Sequence, residues 1–122
     1  MKFIVEKDAE GAEFAEPYAR TIKSLATPWT LGTTQIWLAT DEIRPHNGSD
    51  PHKHDDKEEV FFFLSGKGRV RVDSEEIRVE PGYCVFCPMG SVHEVINDTD
   101  DNLRFIAVVA PPFPQKIDPA KK

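Results

Sequence analysis

The chain has 122 residues, 39% of them hydrophobic and 10% aromatic, and a formal net charge of −6 from 21 acidic and 15 basic residues. That length and composition suit one domain that buries roughly two-thirds of its unfolded surface without disulfides, and they exclude wholesale disorder. Lys and Arg are scattered and form no basic stripe, so nucleic acid is not an expected partner.

The opening MKFIVEKDAEG holds three consecutive apolar residues, too few for the roughly 7–15 of a signal peptide. No stretch approaches the roughly 20 apolar residues of a membrane span, and a soluble, cytoplasmic protein is expected. Residues 1–33 read as a peripheral segment. Within it Tyr18, Ile22 and Leu25 have helical spacing and predict a short helix that Thr27-Pro28 would end.

From Thr34 the chain reads as strands separated by turns. TQIWLATDEI is the first strand, and RPHNGSDP is a loop. EEVFFFLSG is a second strand. Its run Val60–Leu64 is apolar at both parities, which predicts cover on both faces from a second sheet, the N-terminal segment or a partner subunit. A hairpin follows, in which Val70, Val72, Ile77 and Val79 alternate with Arg69, Arg71, Arg78 and Glu80. CVFCP, HEVIND and LRFIAVVA complete the set. PPFPQKIDPAKK, from residue 111 to 122, reads as a peripheral Pro-rich tail. Short strands at regular spacing with little helix predict one all-β domain, a sandwich or a barrel.

Cys84 and Cys87 form a Cys-x-x-Cys pair inside an apolar strand. Residues three apart on a strand point to opposite faces, so the pair predicts packing thiols with no ligand or disulfide role.

Three of the four histidines sit where they can converge. His52 and His54 are two apart, so an extended backbone projects both imidazoles to one face. Glu59 opens the apolar strand, at the mouth of an interior lined by Phe61 and Phe63, where a carboxylate needs a compensating cation. His93 follows the Pro88–Gly90 turn. Glu58 has the opposite parity and reads as a solvated rim charge, and His46 reads as a loop residue. Arg104 on the last strand is a candidate anchor for an anionic substrate.

These segments resemble the two motifs of the cupin superfamily. The first has His-x-His, a short spacer, then Glu-x6-Gly. This chain has His52-Lys53-His54, four residues, Glu59, six residues and Gly66. His46 stands where that motif carries a leading glycine, and Gly48 lies two residues later. The second motif matches throughout, with Gly82, Pro88, Gly90, His93 and Asn97 at the family spacing. The resemblance implies a single-domain, jelly-roll-like β-barrel with its core at about residues 35–110. It also implies one divalent transition metal held by His52, His54, Glu59 and His93. A site of three imidazoles and one carboxylate suits Mn, Fe, Co, Ni, Cu or Zn, and on a six-coordinate metal it leaves positions open for a ligand.

The resemblance further implies a metal-dependent enzyme acting on a small polar molecule such as a sugar, sugar phosphate or organic acid. Isomerase, decarboxylase and dioxygenase chemistry are all open, and the motifs name no general base. A non-catalytic small-molecule or carbohydrate binding protein is the alternative, and a storage or structural protein is a third reading. The two-sided strand, with the habit of similar small cupins, predicts a homodimer.

Overall fold

Alternating apolar and polar residues form ten strands among residues 1–121, which the computed structural model describes. The strands are β1 (Gly11–Phe14), β2 (Arg20–Ala26), β3 (Trp37–Ile43), β4 (His52–Lys53), β5 (Glu58–Ser65), β6 (Gly68–Val72), β7 (Glu75–Val79), β8 (Cys84–Cys87), β9 (Val92–Ile96) and β10 (Leu103–Ala110). A six-stranded sheet runs in the order β1-β2-β3-β10-β5-β8 and a four-stranded sheet in the order β4-β9-β6-β7. All named pairings are antiparallel. Two short 3-10 turns, Glu6–Asp8 and Pro119–Lys121, are the only helical elements among the described residues, and no helix there is long and apolar enough to cross a membrane.

The all-β, jelly-roll-like expectation holds, with one correction. Among the described residues no ladder of hydrogen bonds joins the two sheets into a closed barrel. The core is the layer between them. Trp37, Ala39 and Ile43 of β3, Phe61 and Phe63 of β5, and Leu103, Phe105, Ala107 and Val109 of β10 meet Val70, Val79 and Val95 of the smaller sheet. The period of two is strict on β10, where every second residue is buried.

The N-terminal reading is overturned. Residues 20–26 form β2 and not a helix, because pairing with β1 and β3 satisfies the backbone on both sides. Residues 11–14 and 20–26 therefore belong to the main sheet. The tail is not peripheral either, since Phe113 and Ile117 pack against the core. In the hairpin, Val70 and Val79 are buried, but Ile77 is 46% exposed because β7 is a sheet edge.

Cys87 is buried and Cys84 exposed, on opposite faces of β8 as strand parity requires, and both thiols are free. On β5 the second sheet covers only the inner face. Phe62 remains 41% exposed, on the same face as and diagonal to Phe86 of β8 at 53%, so the described residues leave this part of the outer face uncovered.

Candidate metal centre

Strand register builds the cluster. β4 and β9 pair so that His52 lies directly opposite His93. His54 follows one residue after β4, and the Gly90 N–H donates to its carbonyl at 2.8 Å, tying it to the Pro88–Ser91 turn. Glu59 enters from β5 on the inward parity and is 7% exposed, whereas Glu58 is exposed.

The donor atoms converge on one carboxylate oxygen. Glu59 Oε1 lies 3.0 Å from His93 Nε2, 3.8 Å from His54 Nε2 and 4.0 Å from His52 Nε2. One ligand atom from each of the four residues lies within 4.8 Å of all the others. Two atoms each roughly 2.1 Å from one ion sit roughly 3–4 Å apart, so these separations suit a shared divalent ion.

Hydrogen bonding and protonation point the same way. The Asp50 carbonyl is 2.8 Å from His52 Nδ1 and accepts its proton, which leaves the Nε2 lone pair facing the cluster. His54 Nε2 is buried with no hydrogen-bond partner, an orphan that an ion would satisfy. Burial, followed by the neighbouring histidines, lowers the pKa of His52 and His54, and so favours the neutral, ligating imidazoles. The donor set therefore fits a divalent metal.

Two supports hold the surrounding loops. Asn97 is 1% exposed, and its amide donates to the carbonyls of Ile43, Arg44 and Asp101, while its oxygen accepts from Thr99. Gly66 has φ +80°, and a Cβ there would come within 2.2 Å of the Asn102 carbonyl oxygen, so only glycine fits.

The cluster opens on a cavity of about 540 Å³. Trp37, Phe61, Phe105 and Phe113 form much of its apolar wall. Phe61 lines it as expected. Phe63 does not: it is fully buried one layer deeper, its ring centroid 6.4 Å from that of Phe61. Arg104 does not line it either. β10 alternation turns Arg104 to the outer face, where the Glu6 carboxylate grips its guanidinium at 2.8 Å. His46 lies outside the cluster, paired with Asp100 at 2.7 Å.

Several cavity residues were not foreseen. Asp41 had a signal, since Trp37, Ala39, Asp41 and Ile43 share the inward parity of β3. Arg20 was hidden by the helical reading of its segment, and Phe113 by the composition of the tail. Phe113 packs edge-on against both Trp37 and His54, with ring centroids 5.1 Å away in each case.

The Arg20–Asp41 pair is buried but loose. Arg20 is 6% and Asp41 8% exposed, and Arg20 Nε stands 3.6 Å from Asp41 Oδ2. Arg20 also lies 3.6 Å from Asp50 and 4.2 Å over the Phe14 ring. Burial, resisted by Arg20, pushes the Asp41 carboxyl up to about 7.

Comparison with known proteins fits this geometry. Residues 40–109, more than half the chain, match the family model described as a cupin domain. The tetracenomycin polyketide synthase protein TcmJ of Streptomyces glaucescens is 27% identical over 93 residues, covering 76% of this chain and 62% of that protein. The chain thus spans less than two thirds of that relative's length. The structure of KdgF from a Halomonas species superposes with a TM-score of 0.81 at 15% identity, covering 93% of this chain and 96% of that one. The polyketide cyclase RemF from Streptomyces resistomycificus superposes with a TM-score of 0.76 at 22% identity, covering 99% and 91%. At these identities the two structures share the fold with this chain.

Proposed function

The chain belongs to the cupin-domain family, and on that premise we propose that it is a metal-dependent enzyme acting on a small oxygen-bearing molecule. His52, His54, Glu59 and His93 would hold one divalent transition-metal ion. The observation that carries this reading is the convergence of three imidazole nitrogens on one buried carboxylate oxygen at the wall of a ligand-sized cavity. A bound ion supplies Lewis-acid polarisation of a ligand oxygen. The neighbouring aromatic rings hold the body of the ligand and exclude water, which strengthens electrostatic interactions at the centre.

The aromatic wall sharpens the ligand class. A bare sugar or simple organic acid would leave Trp37, Phe61, Phe105 and Phe113 largely unmatched. A molecule with an apolar or aromatic body and a carbonyl or hydroxyl group fits better. Likeness to a polyketide synthase protein and a polyketide cyclase supports the same class.

The test is a cobalt-loaded protein whose visible spectrum is followed against hydroxylated aromatics, hydroxyketones, sugar phosphates and hydroxy acids. A spectral shift with the aromatic or hydroxyketone classes, followed by turnover, is expected. A shift without turnover would point to a non-catalytic binding protein, and no shift with any class would contradict the reading.

Assembly belongs to the same proposal. A second copy covers the outer face of β5 and β8. The support is the exposed pair Phe62 and Phe86, which each copy presents identically, as a twofold interface requires.

A further inference from the structure

We propose that Asp41 is the proton-transferring residue of this cavity, with Arg20 as its positioning partner. The proposal rests on the metal-dependent reading above and deepens it. Asp41 takes a proton from a C–H or O–H group of the bound molecule, next to the oxygen that a metal at the cluster would hold. The electron pair of that bond stays on the molecule, and Asp41 becomes a neutral carboxylic acid. Return of the proton to another atom of the same molecule completes an enolisation or isomerisation. No oxidant or reductant is consumed.

The placement comes from strand parity. Asp41 shares the inner face of β3 with Trp37, Ala39 and Ile43, and it lines the same cavity as the metal cluster. An acid among such neighbours is costly to bury and needs a partner or a task. Its partner is near but does not close on it. The 3.6 Å gap between Arg20 Nε and Asp41 Oδ2 is too long for a hydrogen bond. Asp41 Oδ1 and Arg20 Nε are both buried and have no hydrogen-bond partner.

A pair that served only to stabilise the core would be expected to close that gap, because an unmade buried hydrogen bond carries its full desolvation cost. Asp41 is 8% exposed and lines the cavity, where its carboxylate is suited to a ligand's proton. Arg20 is held independently of Asp41. Its guanidinium lies over the Phe14 ring, donates to the Tyr18 carbonyl at 3.4 Å and lies beside Asp50, whose own carbonyl orients His52. Contacts therefore run from Asp41 through Arg20 and Asp50 to a ligand of the proposed metal.

Electrostatics support the role. Burial is the largest influence on Asp41 and raises its pKa, Arg20 and Arg44 lower it, and Glu59 raises it, leaving it at about 7. A group balanced near neutrality can both accept and return a proton.

The probe is phenacyl alcohol, an aromatic hydroxyketone with exchangeable methylene protons, followed by proton NMR in deuterium oxide with zinc-loaded protein. The wild type should exchange those protons faster than zinc and buffer alone. Asp41→Asn should slow exchange at least ~100-fold at unchanged zinc content, and Asp41→Glu should recover part of the rate. Metal-free protein carrying carbon-13 aspartate gives a second readout: one carboxyl titrating at about 7 and missing from Asp41→Asn. Should that variant fail to fold, the wild-type titration and the glutamate variant decide. Equal exchange in wild type and Asp41→Asn, no exchange above buffer by the wild type, or an ordinary aspartate titration would each overturn the proposal. Zinc measured on the same samples separates the two readings. Protein that takes up no zinc defeats the metal reading, whereas zinc-loaded protein with unaltered exchange in the variant defeats only the role of Asp41.

Discussion

His52 and His93 face each other across the β4–β9 pair with ring centroids 4.3 Å apart. Both direct Nε2 toward the same oxygen of Glu59. Two imidazoles turned edge to face over a buried carboxylate make a poor structural pairing, because only one of them is close enough to donate to that oxygen. An ion between them gives the Nε2 atoms of His52 and His93 a shared partner. The consequences extend beyond the cluster, to the loops that carry it and the cavity it opens on.

Asn97 ties the loop after β3 to the segment leading into β10. Asn97→Ala should destabilise the protein by about 3 kcal/mol, because buried carbonyls and the Thr99 N–H lose their partners together. Urea unfolding at neutral pH measures this. A loss below about 1 kcal/mol would show that water replaces the side chain.

Phe113 packs against Trp37 and His54 at the mouth of the cavity. Phe113→Ala should cost about 1–2 kcal/mol of stability and leave metal content unchanged. It should also weaken ligand binding, since the cavity loses part of its cover. Calorimetric titration with a hydroxyketone checks the binding. Undiminished affinity would mean that the tail only decorates the rim.

Asp41 gives stability a pH dependence of definite sign. Its folded pKa of about 7 lies above its ordinary value of 3.8, so the folded state binds the extra proton. The resulting stabilisation is complete below the ordinary value and is lost as pH rises through about 7. Asp41→Asn removes this dependence. In metal-free protein the variant should therefore gain on the wild type as pH rises from 4 to 8, with the histidine contributions cancelling in the difference. Denaturant midpoints at several pH values test it, and a constant difference would contradict the raised pKa.

Phe62 and Phe86 are predicted to lie in the interface of a homodimer. Light scattering after gel filtration should give twice the 13.8 kDa chain mass, and Phe62→Glu should give the monomer. A wild type that elutes as a monomer would show that this face stays in solvent.

The metal cluster was legible in the sequence because it depends on local parity. His52 and His54 share a face, Glu59 has the inward parity and Glu58 the outward one, and a tight turn delivers His93. The same rule placed Cys84 and Cys87 on opposite faces. What failed depended on distant partners. Tyr18, Ile22 and Leu25 have helical spacing, but β1 and β3 claim the backbone of residues 20–26. Phe113 sits among prolines, and nothing local indicates that Trp37 waits for it. Arg104 was read without Glu6, which lies 98 positions away. Asp41 is the intermediate case, since its inward parity was readable but its partner Arg20 was not.

Elemental analysis of protein purified without chelators decides whether His52, His54, Glu59 and His93 form a metal site. Close to one transition-metal ion per chain is expected in the wild type, with loss of most of it in His93→Ala while the variant stays folded by circular dichroism. A metal-free wild type that takes up no divalent ion on reconstitution, or a His93→Ala protein with undiminished metal, would contradict it.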